Sequence, residues 1–244
     1  MIKNYYLTLV TIISISIFLV SCSSDDESDV APSTNSEVSE PYLVSADTVL
    51  TRDISTLSLF LETAGLNDFV AQLKYNSVIL KVVYNTKYKG ETVQASGLVI
   101  IPDTEDELDM LSFQHGTIAA NSEAPSKLAL QDPQYTLYST ISASGFIAVI
   151  PDYLGFGASV NIPHPYYVED LNARTVNDMI LAAKELAAEY ELNLTGDLYL
   201  AGYSQGGYVT MATHKAIEEK ALPGLNLVAS FPSSGSAALA RSCC

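Results

Sequence analysis

The sequence predicts an α/β fold in which a mostly parallel sheet is covered by helices on both faces. Three observations lead to this prediction. Between residues 78 and 231, short runs rich in Val, Ile and Leu alternate with segments of helical periodicity. A β-hairpin pattern precedes the alternation, and a glycine-rich strand–turn–helix pattern stands near its end. Successive β-α-β connections are right-handed and place helices on the two faces of a parallel sheet.

The predicted elements follow in chain order. Strands are expected over residues 78–86, 93–101, 110–114, 146–150, 197–201 and 225–231. Helices are expected over residues 50–73, 128–144, 170–191 and 208–221. Lys89-Gly90 joins the first two strands as a hairpin turn, and Gly65 divides the first helix into two pieces. The helix over 170–191 is the clearest, because its apolar side chains recur at spacings of three and four.

The stretch Gly202-Tyr203-Ser204-Gln205-Gly206-Gly207 contains G-x-S-x-G between a predicted strand and a predicted helix. So sharp a turn strains the serine backbone and lifts its hydroxyl clear of the sheet. A Cβ in place of Gly202 or Gly206 would collide with a neighbouring strand or helix. The helix N-terminus offers free N–H groups and a positive dipole end to an oxyanion. The spacing also arises by chance, but its context favours Ser204 as a nucleophile.

The N-terminus has the pattern of a targeting segment. Residues 1–21 combine Lys3 with a mostly apolar stretch that is short for a membrane span. The end Leu19-Val20-Ser21-Cys22 resembles a bacterial lipoprotein box, which implies lipidation of Cys22. An ordinary signal peptide with an incidental cysteine, or an uncleaved anchor, is the alternative.

Residues 22–46 are predicted to be a disordered acidic tether, and residues 47–244 a single folded domain. The tether is rich in Ser, Asp and Glu and poor in large apolar residues. An acidic run just after Cys22, beginning at Asp25, resembles the surface-export signal of Bacteroidetes lipoproteins, which implies an outer-membrane protein exposed at the cell surface.

Composition excludes several classes of function. The net charge of −16 argues against nucleic-acid binding and against adsorption to anionic membranes. The three cysteines, Cys22, Cys243 and Cys244, provide no disulfide framework, and no zinc-ligand spacing is present. Membrane attachment is therefore expected through the lipid anchor only.

Residues 78–235 resemble a secreted α/β-hydrolase, and specifically the secretory lipase group. Four matches in the family's order carry the resemblance, namely His115-Gly116-Thr117, Pro151-Asp152-Tyr153-Leu154-Gly155-Phe156-Gly157, His164-Pro165-Tyr166 and the Gly202–Gly207 stretch. The resemblance implies hydrolysis of carboxylic esters, often acyl glycerols, without metal or organic cofactor.

The chemistry of acyl transfer suggests a role for each matched residue. Ser204 attacks the ester carbonyl after a histidine removes its proton. The backbone N–H groups of Gln205 and Thr117 are the expected oxyanion donors, each worth about 3–4 kcal/mol. Gly116 lets the loop backbone approach the substrate, although a glycine that only ends a strand is the alternative.

None of the three histidines fits the role of the base. His115 belongs to the oxyanion loop, where a structural hydrogen bond is expected. His164 is expected either to line the pocket or to be structural, and the residues do not decide between these. His214 lies ten residues after Ser204 on the same predicted helix, about 15 Å along its axis, so a packing or surface role is expected.

The sequence departs from the family after Ser204. In this fold an acid and then a histidine follow the nucleophile on later strands. The acids after Ser204 are Glu218 and Glu219, both on the helix that follows it. The expectation is therefore a truncated or frameshifted hydrolase, without its triad acid, its base and its later strands, whose last strand is an exposed apolar edge.

Two other functions stay open. A serine peptidase of the same fold is one, because the G-x-S-x-G turn does not distinguish ester from amide substrates. A non-catalytic surface lipoprotein that binds a ligand in a hydrolase-derived cleft is the other. The oligomeric state and acyl-chain preference are not predicted.

Overall fold

The computed structural model describes residues 40–235, which form one mixed sheet with helices on both faces. The strands in chain order are β1 Leu43–Arg52, β2 Ser77–Tyr88, β3 Glu91–Pro102, β4 Leu108–Gln114, β5 Phe146–Pro151, β6 Leu194–Tyr203 and β7 Asn226–Ser233. Their order across the sheet is β1-β2-β3-β5-β4-β6-β7. The helices are α1 Ile54–Thr63, α2 Asn67–Val70, α3 Pro133–Ala143, α4 Glu169–Glu189 and α5 Gln205–Glu219. The predicted α/β class, with helices on both faces of one sheet, is confirmed.

The hairpin forms where the sequence predicts it. Strands β2 and β3 pair antiparallel from Ser77 opposite Pro102 to Tyr88 opposite Glu91. The turn residues Lys89 and Gly90 have φ of 51° and 89°. Two consecutive positive φ angles define the tight turn whose twist matches that of the flanking strands.

Strand β1 is a feature that the sequence did not predict. It pairs antiparallel with β2, and its register is interrupted twice. Half of its side chains are polar and none is fully buried, so it lacks the alternating apolar pattern of a strand. Because β1 begins at Leu43, the ordered body starts before residue 47, and the predicted tether boundary at residue 46 is too late.

The segment predicted as a broken helix over 50–73 is a strand end followed by two helices. Strand β1 continues to Arg52, and α1 begins after Asp53, whose extended backbone marks the helix start. Gly65 has φ of 73° and separates α1 from α2, as expected.

The parallel part of the sheet is β5-β4-β6-β7. Strand β4 pairs in parallel with both β5 and β6, and β6 pairs in parallel with β7. Strand β3 joins β5 antiparallel, so the whole sheet is mixed rather than mostly parallel. Within the sheet, β5 lies on one side of β4 and β6 lies on the other. The chain runs from β4 to β5 and then crosses through α4 to β6. The carboxyl end of β4 is therefore a topological switch point, where α/β sheets bind ligands.

The core lies on both faces of the sheet. Alternation along β3 sends Leu98 and Ile100 to one face and Val99 and Ile101 to the other. Helices α4 and α5 pack on the face of Val99, and α3 packs on the face of Leu98. Both faces of β5 are buried, which explains its uninterrupted apolar run.

The predicted signal segment, the lipid-anchor residue Cys22 and the pair Cys243 and Cys244 lie outside the described residues. Within residues 40–235, no helix has the length and apolar character needed to cross a membrane.

Candidate active site

The candidate site lies at the carboxyl ends of β4 and β6. These parallel neighbours end in register, with Gln114 opposite Gly202. The segments that follow them, His115–Thr117 and Tyr203–Ser204, therefore meet at the same edge of the sheet. A Cβ built on Gly116 would lie 3.6 Å from the Cβ of Ser204. The structure thus brings the predicted oxyanion loop to the predicted nucleophile.

Ser204 has the strained backbone expected of a nucleophile on a sharp turn. Its φ of 56° and ψ of −118° lie in a region that residues with a side chain rarely occupy. Its N–H donates to the carbonyl of Ser233 at 2.9 Å, which ties the turn to β7. Its carbonyl accepts from the N–H groups of Gly207 and Tyr208, at 3.0 Å and 3.3 Å, as α5 begins.

The glycines of the turn are required by close backbone contacts. A Cβ on Gly206 would come within 2.7 Å of the His115 carbonyl oxygen and closer still to the Gln114 carbonyl. A Cβ on Gly202 would meet the Thr210 hydroxyl oxygen at 2.5 Å. No side chain fits at either position, as the sequence predicted.

The two predicted oxyanion donors lie on the two segments that meet here, Gln205 at the start of α5 and Thr117 on the loop after β4. Gln205 is the first residue of α5, where the backbone N–H has no acceptor within the helix. On the facing loop, the hydroxyls of Thr117 and Tyr166 form a hydrogen bond of 3.0 Å. The roles of Ser204, Gln205 and Thr117 stay predictions.

His115 supports the oxyanion loop from within. Its Nδ1 donates to the Gly116 carbonyl at 2.7 Å, and its ring packs on Tyr153, with 4.3 Å between ring centroids. Its Nε2 is buried without a hydrogen-bond partner. Burial lowers the pKa of His115, and the nearby Gly116 carbonyl only partly opposes this. A neutral, structural histidine results, in agreement with the sequence-based expectation.

Asp152 is a buried acid whose role the sequence alone does not indicate. Its carboxylate is fully buried and accepts from the Ser96 hydroxyl at 2.6 Å, the Ser126 N–H at 2.8 Å and the Ser126 hydroxyl at 2.5 Å. These bonds fix the start of the loop that follows β5. The next residue, Tyr153, donates its hydroxyl to the His115 carbonyl at 3.0 Å. Two signals in the sequence pointed to this position, namely an acid directly after a wholly apolar strand and its place in the Pro151–Gly157 match.

His164 has contacts on both ring nitrogens. Its Nδ1 lies 2.7 Å from the Leu154 carbonyl oxygen, and its Nε2 lies 2.9 Å from the side-chain nitrogen of Gln205. Of the two roles left open by the sequence, these contacts favour the structural one.

His214 has the packing role that was expected. Its Nδ1 lies 2.8 Å from the Ser230 hydroxyl, and its Nε2 lies 3.2 Å from a carboxylate oxygen of Glu218. Within residues 40–235, no histidine or acid forms a hydrogen bond with the Ser204 hydroxyl, so the described part of the chain contains no identified triad acid or base.

No protein-family model and no curated protein sequence matches the chain. Solved structures do match it. A candidate hydrolase from Legionella pneumophila superimposes with a TM-score of 0.71 at 29% identity, over 80% of this chain and 52% of that one. A ligand-bound form of the rice cell wall degrading esterase LipA from Xanthomonas oryzae gives 0.69 at 30% identity, over 82% and 52%.

The chain has the α/β-hydrolase fold. Candida antarctica lipase A in its closed state shares this fold with it at 18% identity and a TM-score of 0.51, over 78% of this chain and 41% of that one. The chain spans about half the length of the Legionella and Xanthomonas structures. In the α/β-hydrolase fold, the turn that contains Ser204 is the position of the nucleophile.

Proposed function

We propose that this protein is a serine hydrolase that cleaves carboxylic esters, including lipids, with Ser204 as the nucleophile. One observation carries the proposal. Ser204 has a strained positive φ on a strand-to-helix turn that has no room for side chains at Gly202 and Gly206. That geometry puts the Ser204 side chain next to the Gly116 loop, and strain of this kind is a common feature of functional sites.

The proposed reaction begins when the Ser204 oxygen attacks the ester carbonyl carbon. The carbonyl oxygen becomes an oxyanion, which accepts hydrogen bonds from the N–H groups of Gln205 and Thr117. Collapse of this intermediate releases the alcohol, which takes up the proton that Ser204 loses, and leaves an acyl group on Ser204, which water then removes. The dipole of α5 adds to the stabilisation, because its positive end points at the same place.

The proton acceptor for Ser204 is not identified among the described residues. His115 and His164 each donate from Nδ1 to a backbone carbonyl, and His214 contacts Ser230 and Glu218. An oxyanion hole without a complete triad still accelerates acyl transfer by about 10³–10⁴ over water. We therefore expect this chain by itself to react slowly but through Ser204.

The choice of esters rests on the structural neighbours. The Xanthomonas protein is described as an esterase, and it shares 30% identity with this chain. The turn at Ser204 is common to esterases and peptidases, so a serine peptidase is the alternative within the fold. Hydrolysis of p-nitrophenyl esters without hydrolysis of aminoacyl anilides would favour the esterase.

The test of the nucleophile is covalent labelling by a fluorophosphonate probe. We expect slow, stoichiometric labelling of Ser204 in the full chain, identified by mass spectrometry of the modified peptide. The Ser204→Ala variant should take up no probe, and it should hydrolyse p-nitrophenyl butyrate more slowly than the unmodified protein. A Ser230→Ala variant is the matched control, because Ser230 lies on β7 and is bonded to His214.

A non-catalytic ligand-binding protein is the second candidate. The absence of a base in contact with Ser204, within the described residues, favours it. If the folded chain takes up no probe at Ser204, or if Ser204→Ala behaves like the unmodified protein, this second function replaces the first.

The lipid anchor and surface location are also proposed. They are supported by the sequence around Cys22 and by the acidic residues after it. Metabolic labelling with a palmitate analogue should modify the unaltered chain and not Cys22→Ser. Equal labelling of both would contradict the anchor.

A further inference from the structure

The residue after the proposed nucleophile has a buried polar side chain. Gln205 is only 1% exposed, and its amide group lies inside the protein behind the turn. A buried amide needs hydrogen-bond partners, because an unpaired one costs about 1–3 kcal/mol. The nitrogen of this amide lies 2.9 Å from His164 Nε2. His164 is 41 residues away in the sequence, so the contact joins two separate loops.

The other nitrogen of His164 determines the direction of this hydrogen bond. Its Nδ1 lies 2.7 Å from the Leu154 carbonyl oxygen, which can only accept, so Nδ1 carries a proton. In the neutral ring, Nε2 then has a lone pair and no proton. The partner of Nε2 must be a donor, and the amide NH₂ of Gln205 is one. The chain of bonds therefore runs from Gln205 to His164 to Leu154.

His164 is itself held in place by the loop after β5. Its ring contacts Phe156, with 4.9 Å between ring centroids. Gly155 has φ of 93°, and a Cβ there would come within 2.6 Å of the His164 Cα. The loop passes so close to the His164 backbone that only glycine fits. Asp152 fixes the beginning of the same loop through its bonds to Ser96 and Ser126.

We propose that His164 is a positioning residue. In its Nδ1–H tautomer, His164 accepts a hydrogen bond from the Gln205 side chain through Nε2. This bond fixes the Gln205 backbone N–H at the oxyanion site. The link to the oxyanion rests on the proposed function of Ser204. The same arrangement excludes His164 as the proton acceptor of Ser204, because its lone pair is occupied by Gln205. The role differs from that of a pocket-lining histidine, since no contact with substrate is required.

Two substitutions separate the two bonds of His164. His164→Gln places an amide oxygen near the position of Nε2 and keeps an acceptor for Gln205. His164→Asn places an amide nitrogen near the position of Nδ1 and keeps the donor to Leu154, but offers Gln205 no acceptor. Each variant loses one hydrogen bond, so similar losses of stability are expected. His214→Asn controls for the loss of a histidine elsewhere.

The first measurement is NMR of the full chain at pH 8. Long-range ¹H–¹⁵N spectra should show His164 as the Nδ1–H tautomer. Exchange of the Gln205 side-chain amide protons should be about tenfold faster in His164→Asn, the equivalent of one net hydrogen bond. Exchange should stay close to that of the unmodified protein in His164→Gln and in His214→Asn. An Nε2–H tautomer, or Gln205 exchange unchanged in His164→Asn, would overturn the proposal.

The second measurement is the rate of fluorophosphonate labelling at Ser204. A misplaced oxyanion donor should slow labelling about tenfold in His164→Asn and much less in His164→Gln. Equal rates in the two variants would overturn the link to the oxyanion. Absence of labelling in every protein, including the unmodified one, would count against the proposed function, while the NMR result would still decide whether His164 holds Gln205.

Discussion

At the scale of single residues, the turn at Ser204 was predictable because its causes are local. Two glycines at fixed offsets and a strand-to-helix boundary are properties of a few consecutive residues, and the strained φ of Ser204 follows from them. The partners of Gln205 and His115 were not predictable, because His164 and Tyr153 come from distant parts of the chain. Nothing in the local sequence specifies such pairs.

Gly206 and Gly116, on the two sides of the candidate site, should respond differently to alanine. Gly206→Ala pushes a methyl group into the Gln114 and His115 carbonyls, so we expect it to destabilise the protein by about 2–3 kcal/mol. Gly116→Ala makes only ordinary contacts, at 3.5 Å or more, and should cost less than about 1 kcal/mol. Its methyl group faces the Ser204 Cβ, so labelling of Ser204 should slow several-fold.

Urea unfolding and the labelling rate, measured on the same samples, check this pair. The turn is not as tightly packed as described if Gly206→Ala unfolds at the same urea concentration as the unmodified protein. An unchanged labelling rate in Gly116→Ala would show that the Gly116 loop is not part of the site at which Ser204 reacts.

At the scale of elements, the periodicity of apolar residues predicted helix α4 but did not predict strand β1. Helix α4 was predicted almost to its ends, because its buried face repeats at helical spacing. Strand β1 was missed because its pairing with β2, rather than its own apolar pattern, defines it. Glu185 on α4 accepts from the backbone N–H groups of Tyr42 and Leu43, so the helix holds the start of the strand.

Asp178 on the same helix makes stability depend on pH. Burial raises the pKa of Asp178 to about 6, although the Thr86 hydroxyl, which donates at 2.6 Å, acts in the opposite direction. The folded protein therefore binds this proton more tightly than the unfolded chain, whose ordinary pKa is 3.8. The stability that the protonated Asp178 contributes to the folded state is fully present below the unfolded pKa of 3.8. This stability is lost as the pH rises through about 6.

The Asp178→Asn variant should remove this pH dependence. Asparagine keeps an oxygen for Thr86 and carries no charge, so we expect a gain of about 1–3 kcal/mol at pH 7.5 that vanishes near pH 4. Denaturant unfolding at the two pH values measures it. Asp170→Asn, in the exposed first turn of α4, is the control and should give no gain. A gain of the same size at both pH values would refute the role of burial.

At the scale of the whole molecule, the sheet order brings the site together. Strands β4, β5 and β6 run in parallel, so the loops that follow them reach the same edge of the sheet. At the end of the described sheet, β7 pairs with β6 alone. Val228 and Phe231 on β7 are 45% and 59% exposed, which agrees with the predicted apolar edge.

We expect the chain to self-associate through β7 as its concentration rises. Phe231→Lys should reduce the association without lowering the melting temperature, because a charge on an edge strand opposes pairing with another chain. Sedimentation velocity over a concentration series measures the effect. Tyr190→Lys, at an exposed position after α4, is the control and should change nothing. A cooperative melt with a monomer at every concentration in the unmodified chain would contradict the expectation.

The sequence by itself determined the order of strands and helices, the hairpin turn and the identity of the proposed nucleophile, because each depends on residues that are close together in the chain. Only the tertiary structure decided that β1 joins the sheet, that Asp152 fastens the loop after β5 and that His164 bonds to Gln205. These features depend on pairs of groups that folding brings together over long separations. A buried polar group takes whichever partner the fold places beside it, and local patterns do not specify that partner.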